Sequence, residues 1–161
     1  MVKSGLVFSR DNITLHASYK TLSIWEKHKQ IKPDAPEIFG VIIGSRTDKD
    51  KEYWVDLVTT PFPKDNSSRY RFLLQDKKHQ EAVDKAYSES DGTSVYLGTW
   101  HTHPEKIPTP SSIDIHDWTN CVKRNPDKQL FFLIIGIREV SAYIKTSHFK
   151  FSKLTKKASR Y

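Results

Sequence analysis

The stretch GTWHTHPEKIPTPSSIDIHDW, Gly98 to Trp118, holds two histidines one residue apart and, behind a Pro-Thr-Pro-Ser-Ser turn, an aspartate. If VYLGTWHTH runs on as a strand, His101 and His103 project from one face, because side chains alternate along a strand. A helix opening at Ser111 puts Asp114 in its first turn, where the carboxylate can reach back to the strand end. Two imidazoles and a carboxylate, with one coordination position left over, are the ligand set of a catalytic rather than a structural zinc site. The same residues also have a plain structural reading. Ser111 or Ser112 is an ordinary N-cap, the helix dipole favours a first-turn aspartate without any metal, and neutral imidazoles are common at strand ends. On a helix begun at Ser111, His116 and Asp117 lie roughly 200° and 300° round from Asp114, at about 100° per residue. His116 therefore points away, while Asp117 lies beside Asp114 and is placed to orient it.

The elements that must position these residues follow from hydrophobic period and breakers. Val7 and Phe8 suggest a short first strand, and Ala17 to Gln30 reads as a helix stopped by Lys-Pro-Asp-Ala-Pro. IFGVIIGSR has the look of a buried strand, with EYWVDLVTT as its hairpin partner across a charged DKDK turn. FPKDNSSRYRF is a loop by composition, and DKKHQEAVDKAYSES is a helix ending at Asp91-Gly92. VYLGTW is a strand, SSIDIHDWTNCVKRN a helix, QLFFLIIGI a buried strand and SAYIKTSHFKF an alternating, half-exposed one. The fold class is α/β (α+β): a central mixed or antiparallel sheet flanked by about three helices. Trp100, facing opposite to His101, should fill the core. His16, His28, His79 and His148 have no motif around them and read as surface residues.

At 161 residues the chain suits one domain with one core, and no apolar run approaches the roughly 20 residues that cross a bilayer. A soluble protein without export signal is expected, and the single cysteine, Cys121, reads as a small packing residue in a reducing cytoplasm. The net charge of +7 is partly concentrated in the terminal KLTKKASRY, expected to be a flexible tail over 153–161. No nucleic-acid-binding signature accompanies that charge.

The string His-x-His-x7-Ser-x2-Asp, filled here by His101, His103, Ser111 and Asp114, resembles the signature of the JAMM, or JAB/MPN-plus, zinc metalloproteases. Their upstream Glu-x-x-Gly-x-x-x-Gly pattern is similar to PEIFGVIIGSR, with Glu37, Gly40 and Gly44 in the matching places. The order of elements resembles the JAB/MPN-like fold, a cytidine-deaminase-like architecture, over residues 1–152. The resemblance implies one zinc ion held by His101, His103 and Asp114, with water in the fourth position. It implies Glu37 as general base and then acid, and Ser111 as hydrogen-bond donor to the oxyanion of the tetrahedral intermediate.

Members of that family split isopeptide or peptide bonds after the C-terminal tail of a ubiquitin-like protein. By this resemblance the tail is expected to add to a sheet edge near the zinc, bordered by the loop Thr60 to Arg71, with Arg69, Tyr70 and Arg71 as substrate contacts. The chain runs from the helix after Asp114 straight into QLFFLIIGI, leaving no room for the second insertion by which eukaryotic members choose a ubiquitin linkage. A compact domain of this size is most similar to the bacterial deconjugating proteases encoded beside E1/E2-like ligases in CBASS antiviral operons, which act on a cyclic-nucleotide synthase conjugate. A peptidase that processes sulfur-carrier proteins would use the same chemistry. A non-catalytic MPN scaffold or a nucleic-acid-binding module is the alternative of another class.

Overall fold

The computed structural model describes residues 4–32, 34–47, 51–67, 72–147 and 150–157. In chain order the elements are β1 (Ser4–Arg10), β2 (Ile13–Ser18), α1 (Tyr19–His28), β3 (Phe39–Arg46), β4 (Glu52–Val58), β5 (Asn66–Ser67), β6 (Phe72–Leu73), α2 (Lys78–Glu89), β7 (Val95–Thr102), α3 (Ser112–Arg124), β8 (Phe131–Ile135), β9 (Val140–Ser147), β10 (Lys150–Lys153) and β11 (Thr155–Lys157). Nine strands form one sheet in the order β10-β9-β8-β7-β3-β4-β2-β1-β11, and β5 with β6 makes a separate ribbon. The sheet is mixed, as expected: β2 with β4 and β7 with β8 are parallel, and the other pairs antiparallel. Among the described residues no helix is long and apolar enough to cross a membrane.

The start of α1 corrects an expectation, and the C-terminal stretch adds a strand to the sheet. Residues 13–18 are strand, where a helix was expected from Ala17; α1 starts at Tyr19 because the Ser18 side chain accepts the Thr21 N–H and caps it. The basic segment from Lys153, expected to be a flexible tail, is paired with β1 over Thr155–Lys157. Only Leu154 separates β10 from β11, although they stand at opposite ends of the strand order. Leu154 N–H donates to Ala142 of β9, while the Arg10 guanidinium of β1 donates to the Lys153 carbonyl. The sheet therefore curls until its two edges meet on one continuous stretch of chain, and the buried Leu154 side chain enters the core at the seam.

The core has two parts because β8 is covered on both faces. Phe131, Leu133 and Ile135 join Trp25, Trp100, Phe8 and Leu15 on the α1 side. Phe132 and Ile134 join Trp118 and Cys121 of α3, so Cys121 is the packing residue it was expected to be. A strand buried on both faces reads as an unbroken apolar run, which is how FFLII appears in the sequence.

A bulge in β7 sets which side the histidines face. Ile42 pairs with Gly98 but Ile43 pairs with Tyr96, so Leu97 is an extra residue in the ladder. The insertion reverses the alternation: Leu97 and Trp100, three apart, both join the α1-side core, and His101 turns to the α3 side, its ring 6.4 Å from Trp118. Gly98 allows this with a φ of +131°, and a Cβ there would meet the Phe131 carbonyl oxygen at 1.8 Å.

His79, expected at the surface, is buried. Its Nε2 lies 2.5 Å from Asp65 Oδ2 and its Nδ1 2.6 Å from Thr59 Oγ1, which in turn accepts the Val41 N–H. Asp65 also accepts backbone N–H groups of Phe62, Gln75 and Asp76. Burial would raise the Asp65 pKa, but these bonds outweigh it and hold the carboxyl below its ordinary value. The imidazole thus ties two points of the loop between β4 and α2, Thr59 and Asp65, to α2, and Asp76 adds bonds from the Lys64 and Lys78 N–H groups. In the polar context KKHQE nothing marks His79 as buried, because its partner lies fourteen residues upstream. His16 stacks on Trp54 and is half-buried, as is His28; His148 lies outside the described residues.

A Cβ on Gly40 would meet the Thr59 carbonyl oxygen at 1.8 Å and the Trp100 indole nitrogen at 2.8 Å, whereas on Gly5 its nearest neighbour is the flexible end of Leu22. Gly40→Ala is expected to cost about 1–3 kcal/mol through overpacking, and Gly5→Ala distinctly less. Urea unfolding of the two variants measures this; equal midpoints would contradict the close approach.

Candidate metal centre

Three elements meet at the centre. β7 carries His101 as its last residue but one, and His103 follows the strand's end at Thr102 with its N–H bonded to the Ile135 carbonyl of the parallel neighbour β8. The loop 104–111 then delivers the chain to α3, where Ser111 and Asp114 form a reciprocal capping box: Ser111 Oγ accepts the Asp114 N–H at 3.1 Å, and Asp114 Oδ2 accepts the Ser111 N–H at 2.8 Å. The cap holds the Asp114 carboxylate against the histidines. His101 Nε2 lies 3.3 Å from Asp114 Oδ1, His103 Nε2 3.2 Å from Asp114 Oδ2, and the two Nε2 atoms 3.1 Å apart. Glu37 stands just before β3, its Oε1 3.7 Å from His103 Nε2. All four side chains are buried.

Glu37 is positioned from the far side of the sheet. Thr102, between the two histidines and facing away from them, accepts the Ile38 N–H on its hydroxyl and donates to Gln30 Oε1. Gln30 Nε2 reaches the Ala35 carbonyl, and the Thr102 N–H bonds the Ile38 carbonyl. Gln30, only 1% exposed, thereby clamps the segment that presents Glu37. Sequence reasoning missed both residues. A polar residue on the core-facing parity of β7 was a signal for Thr102; for Gln30, at the end of a helical pattern, there was none.

The electrostatics match a cation-binding pocket. Burial lowers the His101 pKa, with Asp114 opposing. Burial acts likewise on His103, but its hydrogen bond and charge interaction with Asp114, reinforced by Glu105 and Glu37, raise it. Burial alone would raise Asp114, yet the hydrogen bonds from both histidines and the Ser111 N–H hold it far below the usual carboxylate range. Glu37 is raised to about 8, chiefly by burial, with the His103 charge pulling down and Asp114 and Asp117 pushing up. Glu37, His101 and His103 offer ligand atoms within 4.8 Å of one another, and this cluster can hold a metal ion. Two imidazole nitrogens and a carboxylate oxygen facing one another away from water are a donor set that fits a divalent cation.

Cavities flank the centre on both sides. One of about 410 Å³ is bounded by Glu37, His103, Glu105, Pro110, Ser111 and Ile113. On the other side two grooves, about 230 and 630 Å³, share Val41, Leu74, Tyr96, Cys121 and Arg124, and the nearer reaches Asp117 and Trp118. Among the described residues no sheet edge lies beside the centre, because β3 and β7 are both paired on either side. The short β5–β6 ribbon lies in the expected bordering loop instead. Arg69, Tyr70 and Arg71 lie outside the described residues.

The model of a family described as prokaryotic homologues of the JAB domain matches residues 24–148. The chain is 36% identical over 114 residues to a CD-NTase/cGAS isopeptidase of Vibrio cholerae serotype O1, covering 70% of this chain and 69% of that one. It is 32% identical over 126 residues, 78% of each chain, to a protein of the same name from Pseudomonas aeruginosa. Among solved structures it is similar to the protein DSY2949 from Desulfitobacterium hafniense, with a TM-score of 0.61 at 22% identity over 88% of this chain and 90% of that one. This last likeness concerns the fold alone.

Thr102→Val keeps the shape of the clamp but removes its hydroxyl, leaving the Ile38 N–H and Gln30 Oε1 unsatisfied inside the protein. A loss of about 1–3 kcal/mol is expected, with faster hydrogen exchange at the Ile38 amide. An Ile38 amide as protected as in the wild type would show that Thr102 does not hold this segment.

Proposed function

We propose, on the premise that this chain belongs to the family of prokaryotic homologues of the JAB domain, that it is a zinc-dependent isopeptidase. Its substrate in this reading is a conjugate whose C-terminal tail, from a ubiquitin-like protein or a cyclic-nucleotide synthase made by an E1/E2-like ligase system, is joined to an amine. The names of the relatives support the synthase conjugate. The observation that carries the reading is the convergence of His101, His103 and Asp114 within 3.3 Å, with Glu37 beside them.

His101, His103 and Asp114 are assigned as ligands of one zinc ion. Asp114 is preferred to Glu37 because its oxygens lie nearer the two imidazoles and its carboxylate is fixed by the helix cap. When bound, such an ion supplies a Lewis acid that acidifies water and polarises the carbonyl under attack. Glu37 is then the proton carrier: its carboxylate takes a proton from the attacking water and returns it to the departing amine. Burial raises the Glu37 pKa in the metal-free pocket, and the charge of a bound cation beside it would lower it again, so that a carboxylate is there to take the proton. The Ser111 hydroxyl oxygen accepts from the Asp114 N–H, which leaves its own proton to donate to the developing oxyanion.

The extended tail is assigned to the groove between α2 and α3, which leads past Tyr96 and Cys121 to Trp118. With the central strands paired, main-chain addition falls to the β5–β6 ribbon, and Arg69, Tyr70 and Arg71, in the segment joining those two strands, are assigned to the same tail.

Purified wild-type protein is expected to hold about one zinc per chain and Asp114→Ala to lose it, by elemental analysis after dialysis. Glu37→Gln should retain the metal while cleavage of a purified synthase conjugate falls by roughly 10²–10⁴-fold. Wild-type turnover by Glu37→Gln would remove the base assignment. Zinc uptake should also weaken with acidification. His103 has a raised pKa, so below it a proton occupies the ring and must be displaced, which lowers affinity by about tenfold per pH unit for each proton released. An affinity independent of pH from 5 to 8 would exclude His103 as a ligand.

A further inference from the structure

His103 makes a contact that none of the assigned roles explains. Its Nδ1 lies 2.9 Å from Glu105 Oε1. Its Nε2 faces the cluster, 3.1 Å from His101 Nε2, 3.2 Å from Asp114 Oδ2 and 3.7 Å from Glu37 Oε1. A neutral imidazole has a single N–H, and only the nitrogen without it can bind a metal. On the ε side the carboxylates of Asp114 and Glu37 both attract that proton. Proton at Nε2 would satisfy them within the protein and close the ring to a cation. On the δ side the neighbouring carboxylate is Glu105.

The Glu105 position is built into the fold. Pro104 fixes the turn out of His103, and the following strap is tied to the turn between β8 and β9: Ile137 N–H donates to the Glu105 carbonyl, and Arg138 and Glu139 N–H groups donate to that of Lys106. The Ser141 hydroxyl donates to the Pro108 carbonyl. The strap lies so close that a Cβ on Gly136 would meet Pro108 at 2.5 Å and the Glu105 carbonyl oxygen at 2.8 Å. The backbone of Glu105 is therefore held, although its side chain is half-exposed.

We propose that Glu105 is a positioning residue for the metal centre: its carboxylate keeps the His103 proton on Nδ1, so that Nε2 presents its lone pair to the ion. Carboxylates behind metal-bound imidazoles act in this way in general, and their removal weakens metal binding roughly 10–100-fold. The proposal rests on the zinc reading of the site, and its test keeps the two apart.

The full chain, Glu105→Ala, Glu105→Gln and Asp114→Ala are titrated with zinc against a chelating dye, and the His103 ring is followed by ¹H–¹⁵N correlation in the metal-free protein at a pH above its raised pKa, where the ring carries a single N–H. Glu105→Ala is expected to bind zinc roughly 10–100-fold more weakly than the wild type. Glu105→Gln should recover part of the loss, because its amide oxygen still accepts from Nδ1–H. The wild-type ring should show Nδ1–H and the Glu105→Ala ring Nε2–H. Zinc affinity of Glu105→Ala within about twofold of the wild type, while Asp114→Ala loses the ion, would overturn this role and leave the zinc reading standing. No zinc binding by the wild type would overturn both. An Nε2–H ring in the wild type, which needs no variant, would overturn this role directly.

Discussion

The site exists on the α3 side of the sheet because β7 contains one residue more than β3 can pair. Side chains alternate strictly along a strand, so the bulge at Leu97 and Gly98 exchanges the two faces for everything that follows. Trp100 and Thr102 go to the α1 side and the two histidines go to the side where α3 begins. A regular ladder would have buried Trp100 under α3 and sent the imidazoles toward Trp25. The other features of the centre, from the capping box to the flanking cavities, presuppose that exchange.

Four ionisable side chains are buried at one point, and burial of charge is costly unless partners compensate. The compensation is local for Asp114, which takes bonds from both histidines and a helix N-terminus. It is incomplete for Glu37, whose pKa stays high. The surrounding sheet tolerates this because β8 alone places five fully buried apolar residues beside the centre, two of them against Trp118. Polar clamps on either side then remove freedom from the charged groups: Gln30 and Thr102 behind Glu37, the strap 105–108 behind His103. The arrangement resembles other functional sites in being unfavourable locally and over-determined by its frame.

Much of this was legible from residue types. The His-x-His pair, the Ser and Asp at the next helix start, and Glu37 ahead of a glycine-spaced strand come together as the motif implied. What escaped the sequence has a common cause, partners remote along the chain. His79 is buried by Asp65 and Thr59 across a loop, Gln30 by Thr102 seventy-two residues away, and Lys156 and Lys157 are drawn into a ladder with β1 from the opposite terminus of the described chain. Composition marks His79 and Gln30 as exposed and gives no sign that the two lysines, which are exposed, belong to a strand, since a lone His, Gln or Lys shows no period of its own. β2 was missed for a different reason: TLHAS is short and merges with the helix that Ser18 caps.

In the proposed reading, closure of the sheet bears on how a substrate tail would be held. A protein that recognises an extended segment by main-chain pairing needs an open strand edge, and open edges invite unwanted partners. Here the stretch 150–157 serves both ends of the nine-stranded sheet, covering β9 with its first half and β1 with its second. The strands that bear the centre are interior. What remains beside the centre is a trough walled by two helices and floored by Val41 and Tyr96, with the two-residue strands of the β5–β6 ribbon in the loop anchored by His79. If the tail lies in this trough as proposed, its selectivity would come from side chains on α2 and α3 more than from backbone ladders. His79, which ties the ribbon's loop to α2, also lines the larger of the two grooves and so joins that loop to the trough's wall.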